Sequence, residues 1–291
     1  MGDHCHFGCN KTDPFLSQKE ISAMNQVEID GKTYFMPSDW NELTKKQVLF
    51  VSRLFQGQLT MVDFKLRVLL KFLSLKPKVL KRIHHDDAYF LCESLEFLFK
   101  EVSLTKNLLL VLRTGRRKYF GPEDAMMNCT FGEFTMANSL LDSFSKTKEQ
   151  KYLDEMVAVF YRPRKWFWFI RKTYSDNQDP RKRFVNRSLK RRCQRITRLD
   201  YEVKYSIFLF FSGVLNSLPK LYPNVYEQQG GTGSEDNGWA SLIISLADGK
   251  TDDKSLETVM NSNLYNVFIG LNKKAKEYHE YMSKIESYDR H

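Results

Sequence analysis

The fold is limited above all by apolar residues that recur at three- and four-residue steps, because this period belongs to the α-helix. Between residues 40 and 54 the pattern is carried by Trp40, Leu43, Phe50, Val51 and Leu54. Glycine (14) and proline (8) are too scarce among 291 residues for the many turns of an all-β sandwich. The sequence therefore predicts a chain built mainly from helices.

Several helix boundaries follow from local signals. Ser38 or Thr44 can cap the first helix, and Thr44 with Gln47 matches a capping box. Thr60 is predicted to open the second helix, and a long apolar helix over 197–218 is predicted to end at Pro219. The apolar run Leu108–Leu112 fits a strand or part of a helix, and residues 115–124 are predicted to form a loop.

We therefore predict a mainly α-helical protein, an irregular multi-helix bundle with long connections and at most a small β element. The predicted divisions are a flexible N-terminal segment, 1–36; a main helical domain, 37–226, which includes a basic and aromatic element at 162–198; a flexible Gly-rich linker, 227–237; and a C-terminal helical segment, 238–291, that packs on the main domain.

The net charge of +10 is confined to one part of the chain. Residues 162–198 contain fourteen Lys or Arg and two Asp, a net charge of +12, whereas the rest of the chain has 31 basic and 33 acidic residues. So dense a positive charge repels itself, and an anionic partner would relieve the repulsion. A protein partner and a nucleic acid both fit this pattern. The third interpretation is a solvated helix face whose Arg stems cover apolar neighbours.

An aromatic run, Trp166-Phe167-Trp168-Phe169, lies inside the basic element. Rings beside arginines are typical of surfaces that stack on single-stranded bases. Four consecutive large rings point all around a helix, however, which favours a core or an interface. The predicted partner- or nucleic-acid-binding residues are Arg162, Arg164, Lys165, Trp166, Trp168, Arg171, Lys172, Arg181, Lys182, Arg183, Arg187, Arg191, Arg192 and Arg195.

No motif of a known catalytic site occurs in the sequence, so we expect a protein that is not an enzyme and needs no cofactor. His4, Cys5, His6 and Cys9 are the only metal-like cluster, but adjacent residues cannot all turn toward one ion, so we predict no metal site. Five scattered cysteines indicate a reducing compartment. The longest uncharged apolar segment, 205–218, is too short to span a bilayer, which predicts a soluble protein.

Several passages, in this order, carry a family resemblance. They are Trp40-Asn41-Glu42-Leu43-Thr44 with Gln47; Gly121-Pro122; Thr130-Phe131-Gly132-Glu133-Phe134 with Ala137; Leu153-Asp154-Glu155-Met156-Val157-Ala158-Val159-Phe160-Tyr161-Arg162-Pro163; Gly238-Trp239; and Asn263-Leu264-Tyr265-Asn266. Taken together, they resemble uncharacterised proteins that tailed phages and prophages of Bacteroidetes hosts encode.

The resemblance implies a product of the phage structural and assembly genes. The expected role is non-enzymatic, that of a tail-assembly chaperone that binds a phage tail or virion protein in the host cytoplasm. The alternatives are a connector or neck component of the virion that touches DNA through the basic segment, and a nucleic-acid-binding regulator. The stretch after Arg162-Pro163 is more basic and aromatic than such proteins lead one to expect, and the resemblance assigns a role to no individual residue.

Overall fold

The computed structural model describes residues 25–29, 32–80, 85–165, 179–227, 242–244, 246–247 and 249–288. The N-terminal metal-like cluster, the aromatic run and the predicted linker from residue 228 onward lie outside these ranges. The described strands are β1 (Asn25–Ile29), β2 (Lys32–Met36), β3 (Val111–Thr114) and β4 (Arg117–Phe120). The helices are α1 (Lys45–Leu54), α2 (Met61–Phe72), α3 (Pro77–Leu80), α4 (His85–Glu93), α5 (Phe131–Thr147), α6 (Gln150–Phe160), α7 (Leu189–Ile196), α8 (Tyr201–Leu221), α9 (Pro223–Glu227), α10 (Asp253–Asn261) and α11 (Leu264–Tyr288).

Helix α6 lies at the centre of the structure. Its residues from Met156 to Phe160 are all apolar and are buried without interruption, as expected where a helix is enclosed on every side. It packs against α5, α7 and α8, and α8 in turn packs against α1. The rings of Phe134, Phe211 and Phe268 meet edge to face beside it, with centroids 6.0 Å apart for Phe134 and Phe211 and 5.6 Å apart for Phe134 and Phe268.

The C-terminal helices rest on this core. Helix α10 contacts α5, and α11 contacts α9. The backbone also joins the two regions, because the Leu264 amide donates to the Cys129 carbonyl (3.0 Å) and the Phe131 amide donates to the Ser262 carbonyl (2.9 Å). These two hydrogen bonds attach the start of α5 to the start of α11.

The predicted helix starts are confirmed where a side chain caps the helix. Thr44 forms the complete capping box with Gln47, and the Thr60 hydroxyl accepts from the Asp63 amide (3.2 Å). Asp252, which belongs to an acidic pair, caps α10 by accepting from the Ser255 amide (3.0 Å). These side chains satisfy amide donors that the first turn of a helix leaves without partners.

The structure corrects three predictions. Residues 115–124, predicted as a loop, include β4, which pairs with β3 across a turn in which Gly115 has a φ of +58°. The segment 1–36, predicted as flexible, contains the β1–β2 hairpin at its end. Pro219 lies inside the last turn of α8 instead of ending it, because that helix continues to Leu221.

The predicted fold class is confirmed: the protein is mainly helical, and its described strands form two antiparallel pairs. In the part of the chain that the structure describes, no helix combines the length and the apolar character needed to cross a membrane.

A glycine in α8 provides a test of the packing. A Cβ atom at Gly213 would lie 2.5 Å from the nitrogen and 2.7 Å from the carbonyl carbon of Leu104. We expect Gly213→Ala to lower the free energy of unfolding by about 2 kcal/mol, because backbone atoms cannot move aside as a side chain can. Chemical denaturation followed by circular dichroism measures the change.

The matched control is Gly270→Ala in α11, where a Cβ would meet nothing within 4 Å. Alanine is the better helix former, so this variant should gain up to about 1 kcal/mol. Equal stability of the two variants would contradict the packing of α8 on Leu104.

Candidate functional site

Three buried charges and the partly buried Asp179 join α5, the end of α6 and the start of the segment that leads to α7. Arg162 Nη2 lies 2.7 Å from Glu133 Oε1 and 3.0 Å from Asp179 Oδ2. Arg181 Nε lies 2.8 Å from Asp179 Oδ1, and its Nη2 lies 3.7 Å from Glu133 Oε2. The side chains of Glu133, Arg162 and Arg181 are exposed by 1% or less. We call these four residues the internal ion network.

Local structure fixes the carboxylate of Glu133. The Thr130 amide donates to Glu133 Oε2 (2.8 Å), and the Glu133 amide donates to the Thr130 hydroxyl (3.3 Å). This capping box holds one carboxylate oxygen at the start of α5, where the helix dipole also favours negative charge. The other oxygen faces Arg162. The charge of Glu133 is therefore partnered in two directions.

Both network arginines remain charged, although their pKa values shift in opposite directions. Burial lowers the pKa of Arg162 below its usual value. Burial alone would also lower the pKa of Arg181, but Glu133 and Asp179 outweigh it and raise that pKa. Arg181 further donates to the carbonyls of Phe160 (2.9 Å) and Asn128 (3.0 Å). A guanidinium does not lose its proton at neutral pH, so the network consists of true ion pairs.

Arg192 is a third buried arginine, on the face of α7 that meets α6. Its Nε donates to the Ala158 carbonyl (3.0 Å), and its Nη1 donates to the Ser188 hydroxyl. Burial and the nearby charge of Arg162 lower the pKa of Arg192 to about 10. Arg192 therefore stays protonated at neutral pH and helps to hold α7 on α6.

These positions correct part of the predicted binding set. Arg162, Arg181 and Arg192 were predicted to face a partner, but they lie inside the protein, where they bind carboxylates and carbonyls. Charge density along a sequence does not distinguish an arginine that meets a buried carboxylate from one that meets water. Four other members of the set, Trp166, Trp168, Arg171 and Lys172, lie outside the described residues.

The remaining members of the predicted binding set are exposed or partly buried. Arg183 forms an exposed ion pair with Glu257, with Nη2 and Oε1 2.7 Å apart. The guanidinium of Arg164 lies 5.3 Å from the centre of the Phe120 ring, within the range of a cation–π contact. Arg195 Nη1 donates to the Tyr119 hydroxyl (3.2 Å). Lys165 and Arg195 are partly buried, and the exposed members are Arg164, Lys182, Arg183, Arg187 and Arg191.

The contacts of Arg164 and Arg195 bring the β3–β4 hairpin beside the basic segment. The Phe120 amide donates to the Arg162 carbonyl (2.8 Å), and the Arg162 amide donates to the Phe120 carbonyl (3.1 Å). In the hairpin, Leu112 and Tyr119 face each other and point inward. The hairpin cations are all exposed: Arg113, Arg116, Arg117 and Lys118.

We define the basic face as the exposed cations of the β3–β4 hairpin, Arg164, and the cations that follow the spacing of Arg195 along residues 189–198. Arg191 belongs to it because it lies one helical turn before Arg195 on α7, and Arg198 belongs to it because it follows Arg195 by three residues in the turn that ends the helix. The sequence places no Asp or Glu in 111–120, 162–165 or 189–198. The members are Arg113, Arg116, Arg117, Lys118, Arg164, Arg191, Arg195 and Arg198.

The predicted site residues include neither the hairpin cations nor the carboxylates of Glu133 and Asp179. The run Arg116-Arg117-Lys118 was a usable signal for the first group, but residues 115–124 were interpreted as a loop. Asp179 is one of only two acidic residues in the basic segment, which was a usable signal for an internal partner. The capping-box pattern of Thr130 and Glu133 was present as well.

Among the described residues, no group of three or more His, Cys, Asp and Glu side chains is placed to hold a metal ion. Comparisons of the chain with protein families, with curated proteins and with solved structures give no match. The description of the site therefore depends on its own geometry.

The internal ion network can be tested by neutralising one member. Glu133→Gln keeps a side chain that suits the capping box but removes the charge opposite Arg162. We expect the free energy of unfolding to fall by about 3 kcal/mol, because the two buried arginines then share the single carboxylate of Asp179. Urea unfolding followed by circular dichroism measures the loss.

Glu257→Gln is the matched control, since it breaks an ion pair whose side chains are 60% and 65% exposed. Such surface pairs contribute at most about 1 kcal/mol. If Glu133→Gln costs no more than this control, the network does not stabilise the fold.

Proposed function

We propose that this chain is a non-enzymatic assembly protein of a tailed phage or prophage, and that it binds a phage tail or virion component through the basic face. The resemblance of its sequence motifs supports the phage setting. The observation that carries the binding role is a surface of eight cations on three elements, with no acidic residue within those elements.

The separation of internal and external cations supports binding over a purely structural role. Arg162 and Arg181 are matched inside the protein by Glu133 and Asp179. The segments that carry the basic face contain no Asp or Glu, so their net charge is positive. Such a charge attracts an anionic partner and accelerates its association. In the chaperone interpretation, the partner is a tail protein with an acidic surface that is held until assembly.

One observation favours the connector interpretation as a second candidate. Seven of the eight members of the basic face are arginines, and arginine binds phosphate in a bidentate manner that lysine does not reproduce. A virion component that contacts packaged DNA would use such a surface. The two candidates differ in whether the protein remains in finished particles.

Affinity capture from cells that produce the phage tests the proposed function. We expect the tagged parent protein to retain phage tail or virion proteins, and Arg191→Gln/Arg198→Gln to retain several-fold less, because both cations belong to the basic face. Arg67→Gln/Lys274→Gln removes the same charge from exposed positions elsewhere and should behave like the parent. Quantitative mass spectrometry of the retained proteins measures the effect.

Mass spectrometry of purified particles then separates the two candidates. A fixed copy number in particles supports the virion component, and presence in lysates alone supports the chaperone. If the parent protein retains no phage protein and is absent from particles, the proposed function is wrong.

A further inference from the structure

We propose that the basic face binds the sugar–phosphate backbone of double-stranded DNA, with the β3–β4 hairpin as its main contact. This inference rests on the second candidate of the proposed function, the virion component that contacts packaged DNA, and names the surface and the chemistry of that contact. It adds four cations that lie outside the basic segment of the sequence: Arg113, Arg116, Arg117 and Lys118.

The hairpin geometry suits a phosphate backbone. Arg113 and Lys118 are cross-strand partners, so their side chains leave the same face of the ribbon about 5 Å apart at Cβ. Arg116 and Arg117 extend this charge to the turn. A two-stranded ribbon is also narrow enough to enter the major groove of a duplex. The hairpin can therefore place several cations against one stretch of backbone.

The hairpin is held firmly on the body of the protein. At its base, the Gly121 amide donates to the Leu110 carbonyl (2.9 Å), and the buried Tyr161 hydroxyl donates to the Leu109 carbonyl (2.8 Å). The backbone pair between Phe120 and Arg162 joins it to the internal ion network. A preorganised element loses little entropy on binding, so its charges contribute more of their attraction to affinity.

The composition of the face favours nucleic acid over an acidic protein. The centre of a protein–protein interface is depleted of charge and built around apolar and aromatic side chains. The large exposed apolar residues of the hairpin region are Leu110 and Val111, which lie at its base, whereas cations occupy the rest. Phosphate contacts require cations and counterion release but little apolar area.

The aromatic side chains in the described part of the basic face favour binding of a duplex over binding of a single strand. Single-stranded sites stack bases on exposed aromatic side chains. In the described part of the basic face, Tyr119 is buried and Phe120 is partly buried beneath Arg164. Within the part of the face that the structure describes, the cations are therefore not accompanied by a fully exposed ring on which a base could stack.

Fluorescence anisotropy with the purified full chain and a labelled 30-base-pair duplex of arbitrary sequence tests this inference. The variant replaces Arg113, Arg116, Arg117 and Lys118 with Gln. We expect its affinity at moderate salt to fall at least tenfold, and the slope of log K against log salt to become shallower by roughly 3, as expected for about four lost phosphate contacts. A second duplex of unrelated sequence should bind the parent equally well.

The matched control replaces four exposed cations elsewhere, Arg67, Lys146, Lys254 and Lys274, with Gln. It has the same net charge as the hairpin variant, and we expect it to keep most of the affinity. Circular dichroism checks that both variants fold. If the fourfold hairpin variant does not fold, the single variant Arg116→Glu at the turn replaces it and should weaken binding several-fold.

Two results would overturn the inference: no binding of the duplex by the parent at low salt, or equal losses in the hairpin variant and its control. Tighter binding of a single-stranded oligonucleotide than of the duplex would overturn the choice of a duplex. If duplex binding is absent while the basic face still governs capture of phage proteins, the partner is a protein and the proposed function stands. Duplex binding without any phage association would leave the inference intact and remove the proposed function.

Discussion

The ion pairs of Glu133 and Asp179 with Arg162 and Arg181 are the interaction on which the arrangement of this protein depends. They connect the first turn of α5, the residues after α6 and the start of the segment before α7. A buried charge without a partner lowers the free energy of unfolding. Each of these parts is therefore held in the position where its charge contacts the opposite charge. The backbone of Arg162 also pairs with β4, and the same constraint therefore positions the hairpin.

The network divides the basic segment into two groups with different roles. Arg162 and Arg181 are matched internally, and Arg192 is held by the Ala158 carbonyl, so all three act on packing. Arg164, Arg191 and Arg195 belong to the same stretch of sequence but lie on the outside of that framework. Arg164 lies over the Phe120 ring and Arg195 donates to the Tyr119 hydroxyl, whereas Arg191 is exposed. The proposed binding role therefore involves fewer residues of the basic segment than its charge density indicates. It also involves the β3–β4 hairpin, which lies outside that segment.

The sequence predicts those features that depend on residues close to one another along the chain. Thr44 and Thr60 lie directly beside the amides that they cap, and the apolar period of each helix repeats within a few residues. The ion network could not be predicted in the same way, since Glu133 meets Arg162 only after α5 and α6 have packed. The strands β3 and β4 were too short for an alternating pattern, with one buried apolar residue in each. The basic face depends on this tertiary arrangement, so the sequence predicted only three of its members: Arg164, Arg191 and Arg195.

The positions that carry the family resemblance lie largely in the framework and not on the basic face. Glu133 and Arg162 form the internal network, and the Asn263 side chain donates to the Met127 carbonyl (2.8 Å) beside it. Trp40 is buried, and its indole donates to the Phe97 carbonyl (3.0 Å). Residues in such positions preserve packing, so a resemblance based on them bears on the fold more directly than on the partner. Exposed cations can change without repacking the core. The strongly basic surface can therefore vary independently of the framework, and under the proposed function it is where the partner binds.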